Sequence, residues 1–442
     1  MGGRLTKAQI VVIGAMAFGL IFLVLCLGGF VPFCKSSGSK IKKMTVWGVF
    51  DDKTVLETGL NEFVNLHGGL EITYKKIPVD EYEKELVNEL AAGRGPDVVY
   101  IQNAWLPKYE DKLQPIPDEV ISIADLRREF PDVIETDFAP DGDIYALPLY
   151  LDTLALYYNK DVFNSAGLTR PPKTWEEFQD YVKKISRIDA TGEILRSAAS
   201  MGTARNINRS TDILNLLMLQ AGAKMVNRDD EYATFGNIRF IEGTGDINPG
   251  LEALTFYTDF ANPLKSVYTW NDDQDYSIDA FYAGKTAMMI NYSHHIQTLH
   301  DKSPSLNFGI APIPQPKNQS KLVNYPNYWG LAVTKKAGKA SELAFEFVRF
   351  MTNQANSQIY AQLTEKPVAR RDLVEWQRTD PELGVFSLQG LTAISWWQKD
   401  NLIIEQIFAN MIESVIKDGN APSKALSDAE EQVSVLMQKQ SP

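Results

Sequence analysis

The chain has 442 residues, too many for one compact core, and its apolar content of 44% is enough to bury two cores. Residues 1–43 contain six Lys and Arg and no acid, so residues 44–442 hold 38 basic and 56 acidic side chains. This negative charge makes nucleic acid and anionic lipid poor partners for the larger part of the chain.

The N-terminus predicts a membrane anchor. Residues 8–33 carry no charged side chain, and about 20 apolar residues suffice to span a bilayer. We predict a transmembrane helix within residues 1–34, followed by a stalk at 35–43. A cleaved signal peptide and a lipoprotein are the alternatives, which the bulky "GGFVPFC" before Lys35 disfavours. Both cysteines, Cys26 and Cys34, lie here, so no disulfide can form in residues 44–442.

Strands and helices alternate after the stalk. Residues 44–50, 70–77 and 96–101 predict strands, and residues 52–66 and 80–93 predict helices. This order is typical of an α/β sheet with crossover helices, in which ligands bind beyond the carboxyl ends of strands. The stretches "WGVFDD" and "IQNAW" lie at two such ends. They supply the candidate contacts Trp47, Asp51, Asn103 and Trp105.

Further helices and strands are predicted along the rest of the chain. Thr174 and Glu177 predict a capping box for a helix that runs towards Ile185. Residues 210–222 predict another helix, closed by Gly222. Residues 330–362 predict a strand, a turn and one long amphipathic helix, and residues 400–440 predict two helices broken at "DGNAPS".

A series of blocks resembles a known family. "GPDVVYIQNAW", "GDIYALPLYLDTLALYYNKDVFNSAGLTRPPKTWEEF", "YSIDAFYAGKTAMMINYSHHI", "FGIAPIPQP", "WGLAVTKKAGKASELAFEFVRFM" and "LTEKPVARRDL" occur in the order and spacing of family 1 extracellular solute-binding proteins of ATP-binding cassette (ABC) importers. That group includes maltose-binding protein. The resemblance covers about residues 44–440 and implies an α/β, two-lobed type II periplasmic-binding-protein fold with a hinge. Lobe one is expected at 44–150 and 290–335, and lobe two at 151–289 and 336–442.

The resemblance also implies a function. A monomer, tethered to the cell membrane with its binding domain outside the cytoplasm, would capture an oligosaccharide or polyol in the cleft between its lobes and deliver it to an ABC permease. It would need no cofactor and no catalytic residue. Sugars require flat aromatic platforms and convergent hydrogen-bonding groups. The expected ligand contacts are Trp47, Asp51, Asn103, Trp105, Tyr150, Asp152, His294, Trp329, Trp396 and Trp397.

Asp152 is the central candidate, because the family's crossing segment places an acid after the Pro-x-x motif that starts here at Pro148. Tyr150 precedes it by two positions and would share its face on an extended segment. A carboxylate makes strong charge-assisted hydrogen bonds to ligand hydroxyls. Alternatively, Asp152 pairs with a nearby Arg or Lys or caps backbone amides at the hinge.

Other functions stay open at this stage. A membrane-anchored carbohydrate sensor or adhesin could have the same fold without transport. A glycosidase would need two positioned carboxylates, and no nucleophile, phosphate or metal motif accompanies the acids of this chain. The sequence also lacks the aromatic cluster of maltose-binding protein after "RSAASMGTARNINRS", which argues against maltose itself as the ligand.

Overall fold

The structure is a computed structural model that describes residues 42–229, 231–241, 245–317, 319 and 321–438. The predicted anchor at 1–34 and most of the stalk lie outside these residues. Among the residues described, no helix has both the length and the apolar composition needed to cross a membrane.

The first lobe is built on a mixed sheet. Its central strands, Lys42–Gly48 and Val98–Gln102, pair in parallel, and Trp329–Thr334 pairs antiparallel with Val98–Gln102. Across the sheet the strands are ordered Leu70–Lys76, Lys42–Gly48, Val98–Gln102, Trp329–Thr334 and Leu113–Gln114, with Ala146–Pro148 also paired to Trp329–Thr334. The helices are Lys53–Leu66, Val79–Ala91, Leu106–Tyr109, Ile123–Glu129, Asp132–Phe138, Ser341–Met351 and Gln354–Thr364. The predicted β-α-β-α-β order of residues 44–101 is therefore confirmed.

The second lobe has its own sheet and core. The strands are ordered Phe308–Ala311, Ala155–Asn159, Thr286–Asn291, Ile194–Ala199 and Arg187–Ile188. Small antiparallel pairs are formed by Val226–Asn227 with Tyr232–Ala233 and by Arg239–Ile241 with Gly245–Ile247. The helices are Lys160–Ser165, Trp175–Ile185, Ser210–Gln220, Pro249–Asp259, Ser277–Tyr282, His295–Lys302, Gly384–Gly390, Asn401–Ile416 and Pro422–Gln438. The short helix Val374–Gln377 belongs instead to a small separate cluster that includes Ala361.

Two local predictions need correction. The helix after Thr174 begins as predicted, but Glu177 accepts from the Lys173 amide rather than from Thr174, so the capping box is incomplete. The single long helix predicted before residue 362 is two helices, because Asn353 caps a new one by accepting from the Asn356 amide.

The chain crosses between the lobes on a short ribbon. Asp152–Thr153 pairs antiparallel with Pro326–Asn327, and Ala393, which joins the first core, is bridged to Asn324 on the same ribbon. Leu151 belongs to the first core, whereas Leu154 belongs to the second. Asp152 therefore lies on the hinge itself.

The cores divide the chain differently from the predicted boundaries at 290 and 336. Thr286–Asn291 and Phe308–Ala311 both pair with Ala155–Asn159, which keeps the chain up to about residue 313 in lobe two. Trp329–Thr334 enters the first sheet, so the helix Ser341–Met351 that follows packs into the first core. Sheet pairing thus decides which lobe receives each connecting helix.

Candidate ligand-binding cleft

A cavity of about 650 Å³ lies between the lobes. Its walls come from both cores and from the hinge, where Asp152, Pro326 and Asn327 form part of its lining. A cavity of this size suits an organic ligand of several rings. Six of the predicted contacts line it, namely Asn103, Trp105, Tyr150, Asp152, His294 and Trp329.

Lobe one presents an aromatic wall, made of Phe50, Trp329 and Trp105. The ring centroids of Trp105 and Trp329 are 5.0 Å apart at 66°, and those of Phe50 and Trp329 are 5.4 Å apart at 87°. Tyr82 packs behind Trp105 at 6.2 Å and donates to the Tyr100 carbonyl. The wall therefore stands on a buried support and offers flat apolar surface to the cavity.

Asp152 is held by the backbone around it. Its Oδ1 accepts from the Thr153 amide at 2.8 Å, and its Oδ2 accepts from the amide and hydroxyl of Ser293 at 2.9 and 2.7 Å. Burial raises the pKa of Asp152 to about 7, against the lowering effect of these bonds. The contacts are those of the capping alternative. Asp152 also lines the cavity, and a direct contact between its carboxylate and a ligand remains a prediction.

Lobe two presents polar groups opposite the aromatic wall. Asp212 accepts from the Tyr292 hydroxyl at 2.8 Å and pairs with Arg209 at the same distance. Arg209 takes a left-handed backbone conformation (φ 61°), which is costly for a non-glycine residue and points to a functional constraint. It carries its guanidinium over the Tyr292 ring, 5.3 Å from the centroid.

Two histidines complete this wall in neutral form. Enclosure by the cleft lowers the pKa of His294 to about 3, although half of its side chain still faces the cavity, and lowers that of His295 to about 4. Arg209 contributes to both shifts. Both imidazoles are therefore uncharged near neutral pH. Within the described residues, no group of three or more His, Cys, Asp or Glu is placed to hold a metal ion.

A comparison with known protein families identifies the family to which this chain belongs. Residues 50–358 match the family model described as bacterial extracellular solute-binding protein. The chain belongs to this family. The resemblance noted in the sequence blocks is confirmed.

The curated relatives of this solute-binding protein are distant. A putative binding protein of Brucella abortus (strain 2308) is 25% identical over 256 residues, which are 56% of each chain. A maltotriose-binding protein of Pyrococcus abyssi is 24% identical over 330 residues, 73% of this chain and 64% of the relative. The chain thus spans little more than half the length of the first of these relatives.

Solved structures show the fold. A cyclic alpha-maltosyl-1,6-maltose binding protein from Arthrobacter globiformis matches with a TM-score of 0.74 at 19% identity, covering 90% of this chain and 99% of that one. The sugar-binding protein MalE from Xanthomonas citri matches with a TM-score of 0.72 at 20% identity, covering 90% and 97%. The solute-binding protein therefore has the predicted type II periplasmic-binding-protein fold.

The other four predicted contacts lie away from the cavity. Trp47 is in the first core, with Lys75 over its ring at 4.7 Å. Trp396 is in the second core and donates to Asn215 Oδ1 at 2.9 Å. Trp397 lines a separate groove, with Arg228 over its ring at 5.9 Å. Their ligand contacts remain predictions that the cavity does not support.

Asp51 lies beneath the cavity rather than on its surface. Its carboxylate accepts from the hydroxyls of Tyr100 and Tyr360 at 2.9 and 2.8 Å and from Lys366 Nζ at 2.9 Å. Lys366 is the residue that reaches the cavity. The sequence thus pointed to the buried acid and gave no sign of its partner at the cavity.

Several cavity residues carried no signal in the sequence. These are polar side chains on loops, at a strand end or near the start of helices, where no periodicity marks one face: Asn208, Arg209, Asp212, His295, Asn327, Lys366, Gln398 and Glu405. Only their position after strands of a two-lobed fold could have suggested them.

Within the part of the chain that the structure describes, two ion pairs join the lobes of the solute-binding protein. Lys108 lies shortly after Trp105 in the chain. Its Nζ pairs with Glu83 of its own lobe and with Asp400 of lobe two, at 2.8 Å each. Asp400 caps the helix Asn401–Ile416, which lines the cavity. On the other groove, Arg228 of lobe two binds Asp141 of lobe one at 2.6 Å. Both pairs favour the closed arrangement.

Breaking the first pair should loosen the closed state. Lys108→Met is expected to weaken ligand binding about two- to fivefold and to reduce its salt dependence, because partly exposed ion pairs contribute about 0.2–1 kcal/mol and are screened by salt. Titration at low and high salt measures both effects. Lys424→Met, which breaks a pair with Asp428 inside one helix, is the control. Equal affinities and equal salt dependence in wild type and Lys108→Met would contradict this role.

Proposed function

We propose that this solute-binding protein captures an oligosaccharide or another polyol in the interlobe cleft and delivers it to an ABC permease. The observation that carries the proposal is the division of the cavity. Lobe one supplies the aromatic wall, and lobe two supplies hydroxyl, amide, imidazole and carboxylate groups. A sugar ring has an apolar face and a hydroxyl rim, so it matches both walls only when the lobes are closed around it.

The comparisons support a sugar as the ligand class. Among the matched proteins are a maltotriose-binding protein, a multiple sugar-binding protein from Streptococcus mutans and a galactooligosaccharide-binding protein from Bacillus subtilis. The family and its structural neighbours are binding proteins, and we propose that this chain likewise performs no catalysis.

Calorimetric titration tests the proposal. The full chain, purified in a detergent without a sugar headgroup, is titrated with maltotriose, maltotetraose and mannotriose. We expect binding of at least one, together with a change in fluorescence from Trp105 and Trp329, which line the cavity. Products are assayed in the same samples. Absence of binding to all three would contradict the proposal, and turnover would replace it with a glycosidase.

We also propose that residues 1–34 tether the protein to the cell membrane, on the sequence of residues 8–33 alone. The full chain should sediment with membranes after a high-salt wash, whereas a chain starting at residue 42 should not. A sensor or adhesin role would share this anchor. Crosslinking to a permease subunit distinguishes transport from that alternative.

A further inference from the structure

Lys366 occupies an unusual place in the cleft. It lies just beyond the helix Gln354–Thr364, and its side chain is only 16% exposed yet lines the cavity. Its Nζ donates to Asp51 Oδ1 at 2.9 Å and to the Tyr360 hydroxyl at 3.0 Å. An ammonium group has three donors. These two bonds therefore leave one donor for the cavity.

Aromatic rings surround the ammonium group on its other sides. Its Nζ is 4.6 Å from the ring centroid of Tyr150, 5.3 Å from that of Tyr360 and 5.5 Å from that of Phe50. Such contacts stabilise the cation without satisfying its third N–H with an oxygen. Phe50 and Tyr150 also line the cavity, so the ammonium group sits at the edge of the aromatic wall.

Asp51 fixes the position of this group. Its side chain is 4% exposed and is oriented by the hydroxyls of Tyr100 and Tyr360, while its carbonyl accepts from the Tyr74 hydroxyl at 2.7 Å. A carboxylate with so little freedom holds the Lys366 ammonium in one place. It also balances the charge, so the pair adds no net charge to the cavity.

The backbone of Lys366 is fixed as well. The Lys366 carbonyl accepts from Gln377 Nε2 at 3.0 Å, and the Pro367 carbonyl accepts from the Leu151 amide at 3.2 Å, next to the hinge. A few residues on, Arg370 binds the buried Glu129 at 2.7 Å and ties this segment to lobe one. The side chain therefore approaches the cavity from a rigid base.

We propose that Lys366 determines ligand specificity by donating a charge-assisted hydrogen bond to a ligand oxygen, with Asp51 as its positioning residue. The inference rests on the proposed function. Because Asp51 neutralises the ammonium group, the site favours an uncharged, oxygen-rich ligand over an anionic one. A sugar stacked on Phe50 and Trp329 would bring a hydroxyl or ring oxygen to this donor. Charge-assisted bonds are roughly twice as strong as neutral ones.

A double-mutant cycle tests the pair. The full chain, in a detergent without a sugar headgroup, is titrated with maltotriose, maltotetraose and mannotriose as wild type, Lys366→Met, Asp51→Asn and the double variant. Lys366→Met should weaken binding about tenfold or more. Asp51→Asn should weaken binding when Lys366 is present and add little in the Lys366→Met background, because positioning acts only through Lys366. A purely structural role of Asp51 would give the same loss in both backgrounds.

Two controls separate binding from folding. The double variant removes both charges and so avoids an unpaired buried carboxylate. Lys336→Met breaks another lobe-one pair, with Asp97 at 3.2 Å, away from the cavity, and should leave affinity unchanged. Wild-type affinity in Lys366→Met would overturn this inference and leave the proposed function standing. No binding of any of the three sugars by wild type would overturn both.

Discussion

Trp105→Leu is expected to weaken binding of the proposed sugar by about 1–3 kcal/mol, which is roughly 5- to 150-fold. The indole is 7% exposed and meets Trp329 at 5.0 Å, so its removal opens one end of the aromatic wall. Leucine keeps the site apolar but offers no flat face for a sugar ring. Calorimetry with the tightest-binding member of the three-sugar panel measures the loss.

Trp175→Leu is the matched control for this variant. Trp175 is 6% exposed and packs against Phe178 in the core of lobe two, outside the interlobe cavity. Both variants should lose stability because each removes a buried indole. Only Trp105→Leu should lose affinity beyond what its loss of stability explains. Equal losses of affinity would show that the aromatic wall is not the ligand platform.

Most of the fold could be predicted from the alternation of strands and helices in the sequence. Period-two and helical patterns of residues 44–101 depend on local burial, which the sequence records directly. The assignment of Ser341–Met351 to a lobe could not be read in this way. It depends on Trp329–Thr334 entering the first sheet, a pairing between residues more than 200 positions apart.

The residues that line the cleft could likewise be predicted only in part from the sequence. Trp105 and Trp329 were found because they lie next to strand ends, where a two-lobed fold opens. Trp47 was chosen by the same argument and Trp396 from the family resemblance, yet both side chains lie in the cores. Residue type and strand position cannot tell which way an indole points. Lys366 gave no signal, because its role depends on Asp51, which is 315 positions away.

Asp152 is expected to make the unfolding free energy fall as pH rises from about 4 to about 7. Burial raises its pKa to about 7 in the folded chain, whereas the ordinary value of 3.8 applies when the chain is unfolded. Between these values the folded state binds the proton and the unfolded state does not. The contribution is therefore complete below pH 4 and is lost at roughly 1.4 kcal/mol per pH unit up to about 7. Asp152→Asn should remove this slope.

Asp137→Asn separates Asp152 from another buried carboxyl group whose pKa is raised. Burial raises the pKa of Asp137 to about 6, and its carboxylate accepts from Tyr328 and Asn103. Urea unfolding between pH 4.5 and 7.5 should show both variants gaining on wild type as pH rises to 6. Between pH 6 and 7 only Asp152→Asn should continue to gain. If its curve instead runs parallel to wild type throughout, Asp152 is already ionised in the folded hinge at low pH, and the Ser293 and Thr153 bonds outweigh its burial.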